Sequence, residues 1–341
     1  MGGVVAMLVL LLTEGLLRLF LGPPPPPVLV ATGLGPDQGY LVTEGELYRA
    51  QYQRVRPLPA FTPHKTGPRA AFVGGSAVHL GHYENEVEWP LVVGERLGIE
   101  ALNLGAPAMD SFDLVRVVRE LHWVEHDVLV VYTGHNDFGN AYFQERFGGL
   151  AGGTRAHLRR GLEHLQIYSQ LRLLVQSRPT PRMGEYERQP ITPEARKATL
   201  DYLEANLDQM LWYCQQRDVT MVLGTPTSMV LEMPIATCED EGCPRAIWRE
   251  GLAQKDGDLL RQGHDADWHA LRAPTPALDM MRRWAADNEV HLVDVDAELP
   301  REPGYDAPAS KHFMDLVHLS PEGHRATGAL MAEALRPYFA Q

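Results

Sequence analysis

Residues Ala70 to Gly81, Ala-Ala-Phe-Val-Gly-Gly-Ser-Ala-Val-His-Leu-Gly, decide how this chain is read. Ala71 to Val73 form a short apolar run with the aromatic and β-branched residues of a buried strand, and Gly74 and Gly75 let the backbone turn sharply at its end. Ser76 is then presented at the carboxyl end of a strand, where open α/β sheets bind their ligands. The stretch lacks the Gly-Lys-Ser/Thr of a phosphate-binding loop and the spacing of G-x-G-x-x-G. It also fails the G-x-S-x-G nucleophile elbow, because Val78 stands at the last glycine position. Taken alone, a strand followed by Gly-Gly-Ser is more often an ordinary turn than a catalytic site, and the case for a site comes from the residues downstream.

From Arg69 onward short apolar runs alternate with helical patterns. Strands are expected over Ala71 to Val73, Ala101 to Leu104, Val128 to Tyr132, Thr220 to Leu223 and Val290 to Val293. Helices are expected near Glu86 to Leu97, Asp113 to Trp123, Pro193 to Arg217, Pro276 to Asn288 and Pro321 to Tyr338. Five strands with intervening helices imply an α/β fold with a parallel sheet covered on both faces. Two excursions break the rhythm. Residues 138–189 include a helical pattern from Leu158 to Gln176, and residues 225–275 hold two loop cysteines and several tryptophans. Loops of such length are usually functional covers or disordered.

Chemistry-bearing residues recur at the ends of the expected strands. Gly105 follows the second strand and can offer an unobstructed backbone N–H, and Asn136 follows the third and brings a neutral side-chain amide. Donors of these two kinds around one point suit a tetrahedral oxyanion. Near the C-terminus, Asp315 and His318 are three residues apart, so on a turn the carboxylate can reach imidazole Nδ1 and fix its tautomer. His318 Nε2 is then free to take the proton of Ser76. Ser320-Pro321 reads as a helix start, with serine at the N-cap and proline at the first turn.

These residues resemble the sequence blocks of the SGNH hydrolase superfamily, also called the GDSL esterases and lipases. Gly74-Gly75-Ser76 matches its first block, Gly105 its second-block glycine, Gly134 to Asp137 its Gly-x-Asn-Asp, and Asp315 to His318 its Asp-x-x-His. The blocks stand in family order across roughly residues 69 to 338, with one departure: Gly75 and Ala77 replace the Asp and Leu that flank the serine in the family's name-giving motif. The resemblance implies a flavodoxin-like three-layer α/β/α sandwich with a five-stranded parallel sheet, and ester chemistry without a metal or other cofactor. It also implies roles: Ser76 as nucleophile, His318 as base and then acid, Asp315 as the orienting carboxylate, and an oxyanion hole from the Ser76 and Gly105 N–H groups and the Asn136 side chain. Asp137 is expected to brace its loop. The implied activity is serine acyl-ester hydrolysis on an acylated glycan, a lipid or a small ester. Transfer of an acyl group to a polysaccharide through the same serine, and a non-catalytic binding module of the same fold, are the alternatives.

Composition narrows the partners. With 31 basic and 44 acidic residues the formal net charge is −13, which repels phosphate backbones and excludes nucleic acid as an expected partner. Residues 1–22 form an apolar segment of near membrane-spanning length, interrupted by Glu14 and Arg18. An uncleaved membrane anchor is the first expectation for it, a cleaved signal segment the second, and a buried or interfacial helix the third. The first two place the catalytic domain outside the cytoplasm, anchored or secreted. Residues 23–68 read as a Pro-rich spacer and extended arm, and residues 69–341 as the hydrolase-like domain. Cys238 and Cys243 are expected to pair as a local disulfide rather than to bind metal, and Cys214 to be a small buried hydrophobe. His264, Asp265, Asp267 and His269 read as surface residues in preference to a metal cluster, and Asp294 and Asp296 as caps of the following turn. His79 and His82 are either pocket-lining or solvent-facing, His135 needs no function, and Trp89 and Trp123 suit core or helix-start positions.

Overall fold

A computed structural model describes residues 2–21, 40–50, 59–79, 87–146, 162, 165, 167–168, 171, 191–235, 238, 242–267 and 271–340. Five strands, β3 (Arg69–Gly74), β4 (Glu100–Asn103), β5 (Val128–Tyr132), β6 (Thr220–Gly224) and β7 (His291–Val293), form one wholly parallel sheet in the order β4-β3-β5-β6-β7. They coincide with the five expected strands to within two residues at each end.

The alternation of the strands sorts their side chains into two cores, because successive residues point to opposite faces. Ala71, Val73, Leu129, Val131 and Leu223 enter one, beside α3 (Ser111–Glu120), α5 (Pro193–Gln215) and α8 (Thr275–Asp287). Ala70, Phe72, Val128, Val130 and Val222 enter the other, beside α2 (Trp89–Leu97) and α10 (Pro321–Phe339). This is the three-layer sandwich. The chain leaves β3 toward β4 at the edge and then crosses back to add β5 on the other side of β3. Strand order therefore reverses between β3 and β5, where doubly wound sheets open a crevice at their carboxyl ends. Ser76 follows β3, and Asn136 follows β5 in α4 (His135–Arg146).

Several expectations change. Residues 40–50, read as part of an unpatterned arm, include a hairpin of β1 (Leu41–Glu44) and β2 (Leu47–Ala50). Its entry is tied down by the buried Tyr40 hydroxyl, which donates to Leu104 O at 3.0 Å. Residues 225–275 are more than a loop: α6 (Pro244–Gln254) and α7 (Gly257–Asp265) enclose a small core of Val230, Trp248, Leu260 and Ala307. Cys238 and Cys243 are disulfide-bonded at the start of α6, and Cys214 is free and buried. The Leu158 to Gln176 pattern lies largely outside the described residues. Trp89 is fully buried at the start of α2, whereas Trp123 is 68% exposed, so the core position expected for it is corrected.

Residues Gly2–Leu21 are helical (α1), but among the described residues no helix is long and apolar enough to cross a membrane. Glu14 and Arg18 pair at 2.7 Å across one helical turn. A charge centred in a span costs about 2.5–3.5 kcal/mol on the insertion scale. Glu14 is instead buried against the chain, accepting a hydrogen bond from Ile167 N at 3.0 Å.

Candidate active site

The structure brings Ser76, His318 and Asp315 into one hydrogen-bonded line. Ser76 Oγ lies 2.7 Å from His318 Nε2, and His318 Nδ1 lies 2.7 Å from Asp315 Oδ2. The turn that joins the last two is held by the carboxylate itself, since Asp315 Oδ1 accepts from Val317 N at 3.0 Å and His318 N at 2.9 Å. The loop is closed on either side: Met314 N donates to His318 O, and Ser320 caps α10 by accepting from Gly323 N at 3.1 Å. Half-burial pushes the Asp315 carboxyl up, but the hydrogen bonds from His318 and the two amides outweigh it and hold the carboxyl down at about 2. The group beside His318 is thus an anion at any ordinary pH, and it fixes the imidazole with its proton on Nδ1 and a lone pair toward Ser76.

Ser76 sits on a tight turn in which Val78 N and His79 N both donate to Gly75 O. Both glycines before it are required by close approach. A Cβ on Gly74 would overlap Tyr132 O and the Val78 side chain, and one on Gly75 would overlap Asn136 Nδ2 and stand 3.1 Å from Met109 O. This accounts for the absence of an acidic residue before the serine, since any side chain at Gly75 would displace the Asn136 amide. If Asn136 Nδ2 serves a developing oxyanion, Gly75→Ala should lower ester turnover on the order of 100-fold while leaving Ser76 in place. Steady-state kinetics of this variant, compared with Ala77→Gly, check it; an unchanged rate would place Asn136 outside the chemistry.

Asn136 Nδ2 donates to Met109 O at 2.8 Å, which orients the amide beside Gly75. The Ser76 N–H has no hydrogen-bond partner among the described residues. Gly105 is placed differently from its expected role: its N–H donates to Asn103 Oδ1 at 3.1 Å, and a Cβ there would overlap Val78. Asn103 in turn donates to Glu88 Oε2 at 2.6 Å, and Glu88 Oε1 holds His79 Nδ1 at 2.5 Å. Gly105 thus lies at the end of a polar chain that supports the turn carrying Ser76. Asn103, Glu88 and His79 carry no sequence signal that links them. His79 is buried, so its solvent-facing reading is corrected; His82 lies outside the described residues.

The floor of the site is a buried acidic network. Asp137 accepts from Ser111 N at 3.1 Å, from Ser111 Oγ and from Thr133 Oγ1 at 3.2 Å, as its bracing role requires. Asp110 caps α3 and accepts from Asn140 Nδ2, which also binds the carbonyl of Ala108, a residue in the left-handed region at φ 64°. Burial, and then the neighbouring Asp137 carboxylate, push Asp110 up to about 7. Burial raises Asp113 and Asp137 as well. Folded Asp110 keeps its proton up to about 7, while the unfolded group releases it near 3.8. Its contribution to stability is then full below 3.8 and is lost as pH rises through about 7. Asp110→Asn keeps the cap and removes the titration. The difference in unfolding free energy between variant and parent should shift in the variant's favour across that window, by up to ~1.4 kcal/mol per pH unit. Urea titrations at pH 4, 5.5 and 7.5 check this, and a pH-independent difference would refute it.

Other histidines are structural. His135 bridges three loops, Nε2 donating to Thr227 O and Nδ1 accepting from Ala273 N, both at 3.0 Å. Burial pushes it down to about 3, so it is neutral and rigid beside Asn136. His264 and Asp267, read as surface residues, are buried, with His264 Nε2 on Val230 O at 2.9 Å. Among the described residues no group of three or more His, Cys, Asp or Glu is arranged to hold a metal ion; His269 lies outside them. Asp294 caps α9 (Val295–Glu298) and pairs with Arg282 at 2.7 Å, as expected of a cap and not of a third member for His318.

Fold and site together define a doubly wound α/β protein with a serine, a histidine and an aspartate aligned at the carboxyl edge of its sheet. No family model matches the chain, and no curated protein matches it. Among solved structures it is similar to a GDSL-like lipase from Bacteroides thetaiotaomicron (13% identity, 79% of this chain and 88% of that chain, TM-score 0.42). It is also similar to a member of the lipolytic protein G-D-S-L family from Veillonella parvula (10% identity, 78% and 97% covered, TM-score 0.42). A third likeness is to an acetyl xylan esterase (15% identity, 78% and 99% covered, TM-score 0.41).

Proposed function

We propose that this protein is a serine acyl-ester hydrolase of the SGNH type. The observation that carries the reading is the line from Ser76 Oγ through the His318 imidazole to the Asp315 carboxylate, with both hydrogen bonds at 2.7 Å. In this reading His318 Nε2 takes the Ser76 proton as Oγ attacks the acyl carbonyl, and Asp315 stabilises the imidazolium that forms. The tetrahedral oxyanion faces the Ser76 N–H and Asn136 Nδ2. His318 then returns the proton to the departing alcohol, leaving an acyl-serine that water, activated by the same imidazole, hydrolyses. Gly105 N–H joins the donors only when its bond to Asn103 opens. The Cys238–Cys243 disulfide supports placing the domain in an oxidising, extracytoplasmic compartment.

The test is hydrolysis of 4-nitrophenyl acetate and of a 4-nitrophenyl ester with an eight-carbon acyl chain, together with labelling by a fluorophosphonate. Turnover with stoichiometric labelling is the expected result, and the acetate-to-octanoate ratio reports pocket depth. A folded chain that neither turns over nor labels would overturn the hydrolase reading.

A further inference from the structure

Arg272 is buried to 6% exposure, yet it makes no ion pair among the described residues. Its one hydrogen bond runs from Nη1 to Met229 O at 3.4 Å. Nε and Nη2 have no hydrogen-bond partner among the described residues. Three carboxylates act on it from a distance: Asp267, Asp265 and Glu232. Two of these are engaged by backbone amides, Asp267 Oδ2 by Ile235 N at 2.6 Å and Asp265 Oδ1 by Thr275 N at 2.9 Å. Burial outweighs their attraction and lowers the Arg272 guanidinium to about 10. An enclosed cation without a close counter-ion is costly, and folded proteins retain one where something pairs with it.

The surroundings of Arg272 place it at the candidate active site. The next residue, Ala273, donates its N–H to His135, the neighbour of Asn136. Met229, which receives the guanidinium, donates its own N–H to Leu316 O at 3.0 Å, inside the Asp315–His318 turn. Arg272 is thereby strung between the strand-end loop that carries Asn136 and the loop that carries His318. The His135 imidazole feels the Arg272, His318 and Asp315 charges together. Nε and Nη2, unpaired among the described residues, form the side-on fork of the guanidinium, the edge that matches two carboxylate oxygens. With a net charge of −13 the chain as a whole repels anions, so an anionic substrate would need such a local cation.

We propose that Arg272 is a specificity-determining residue that binds a carboxylate carried by the ester substrate. The class of substrate is an acyl ester whose alcohol or acyl part bears a carboxylate, and the proposal rests on the ester chemistry assigned to Ser76. The first arm of the test compares 4-acetoxybenzoate with neutral 4-nitrophenyl acetate in the parent, Arg272→Met and Arg272→Lys. The ratio of kcat/KM for the charged over the neutral ester should fall on the order of 10-fold to 100-fold in Arg272→Met, mostly through KM. Lysine should restore part of it. An unchanged ratio would overturn the proposal, because a purely structural arginine would lower both esters alike.

The second arm needs no turnover. Calorimetric binding of 4-acetamidobenzoate and of its uncharged amide to Ser76→Ala, with and without Arg272→Met or Arg272→Lys, should show carboxylate binding that weakens on loss of the arginine. If the parent hydrolyses neither ester while this binding persists, the hydrolase reading falls and the Arg272 site stands. Equal affinity for acid and amide, or none in a folded chain, overturns the Arg272 site whatever the kinetics show.

Discussion

Ser76→Ala should reduce ester hydrolysis to background, a loss on the order of 10⁵-fold to 10⁶-fold in kcat. The magnitude follows from the chemistry: without Oγ there is no acyl-serine, and what remains is the residual catalysis of bound substrate beside oxyanion donors. Stability should change little. Among the described residues Ser76 Oγ is bound only by His318, whose side chain is 25% exposed and can turn to water when the hydroxyl is gone. The loss of one partly exposed hydroxyl with a solvent-reachable partner should cost no more than about 1 kcal/mol. Kinetics and fluorophosphonate labelling read the loss, and thermal melting separates it from unfolding. A variant that keeps its rate and its label would move the nucleophile away from Ser76 altogether.

Asp315→Asn should cost on the order of 10³-fold to 10⁴-fold in kcat with a smaller change in KM. In a Ser-His-Asp arrangement the amide replacement costs about 10⁴-fold by stabilising the wrong imidazole tautomer. The geometry argues for the same outcome here. Oδ1 accepts from two backbone amides, so the asparagine oxygen would occupy that side and its NH₂ would face His318 Nδ1. That pairing places the imidazole proton on Nε2, pointing at Ser76 instead of accepting from it. Because the parent carboxyl is held down at about 2, its charge is present above the unfolded value of 3.8 and is lost only as pH falls through about 2. Any acid limb of the rate profile between pH 4 and 8 therefore belongs to another group. A rate profile that falls with the titration of Asp315 itself between pH 4 and 8, read from its side-chain carboxyl signal by NMR, would contradict this assignment.

Much of the fold was legible because its signals are local. The strand from Arg69 to Gly74 is a run of buried residues bounded by glycine, and Pro193, Pro276 and Pro321 mark helix starts where proline lacks an N–H that would need a partner. The Asp315–His318 contact was legible for the same reason: three residues on one turn suffice to bring the groups together. The hairpin at residues 41–50 was not, because its strands are short and partly exposed and their alternation is weak. Residues 225–275 misled for a different reason. Pro244 and the Asp256 cap mark two helices, but disulfide, tryptophan and glycine content disguised them as loop.

The linear order of residues determined which groups were available: a serine after Gly-Gly, an asparagine after Gly-His, and a histidine three residues beyond an aspartate, each set by local backbone geometry. Only the tertiary structure decided how they are used. It committed the Gly105 N–H to Asn103, set the Asn136 amide against Gly75, and buried His264 and Asp267. It also enclosed Arg272 between two loops that are far apart in the chain. Those outcomes depend on contacts across the sheet, between residues up to 242 positions apart in the case of Ser76 and His318, and no local pattern encodes such distances. The physical reason is that hydrogen-bond satisfaction and burial belong to the packed molecule, whereas periodicity, capping and turn chemistry belong to the chain.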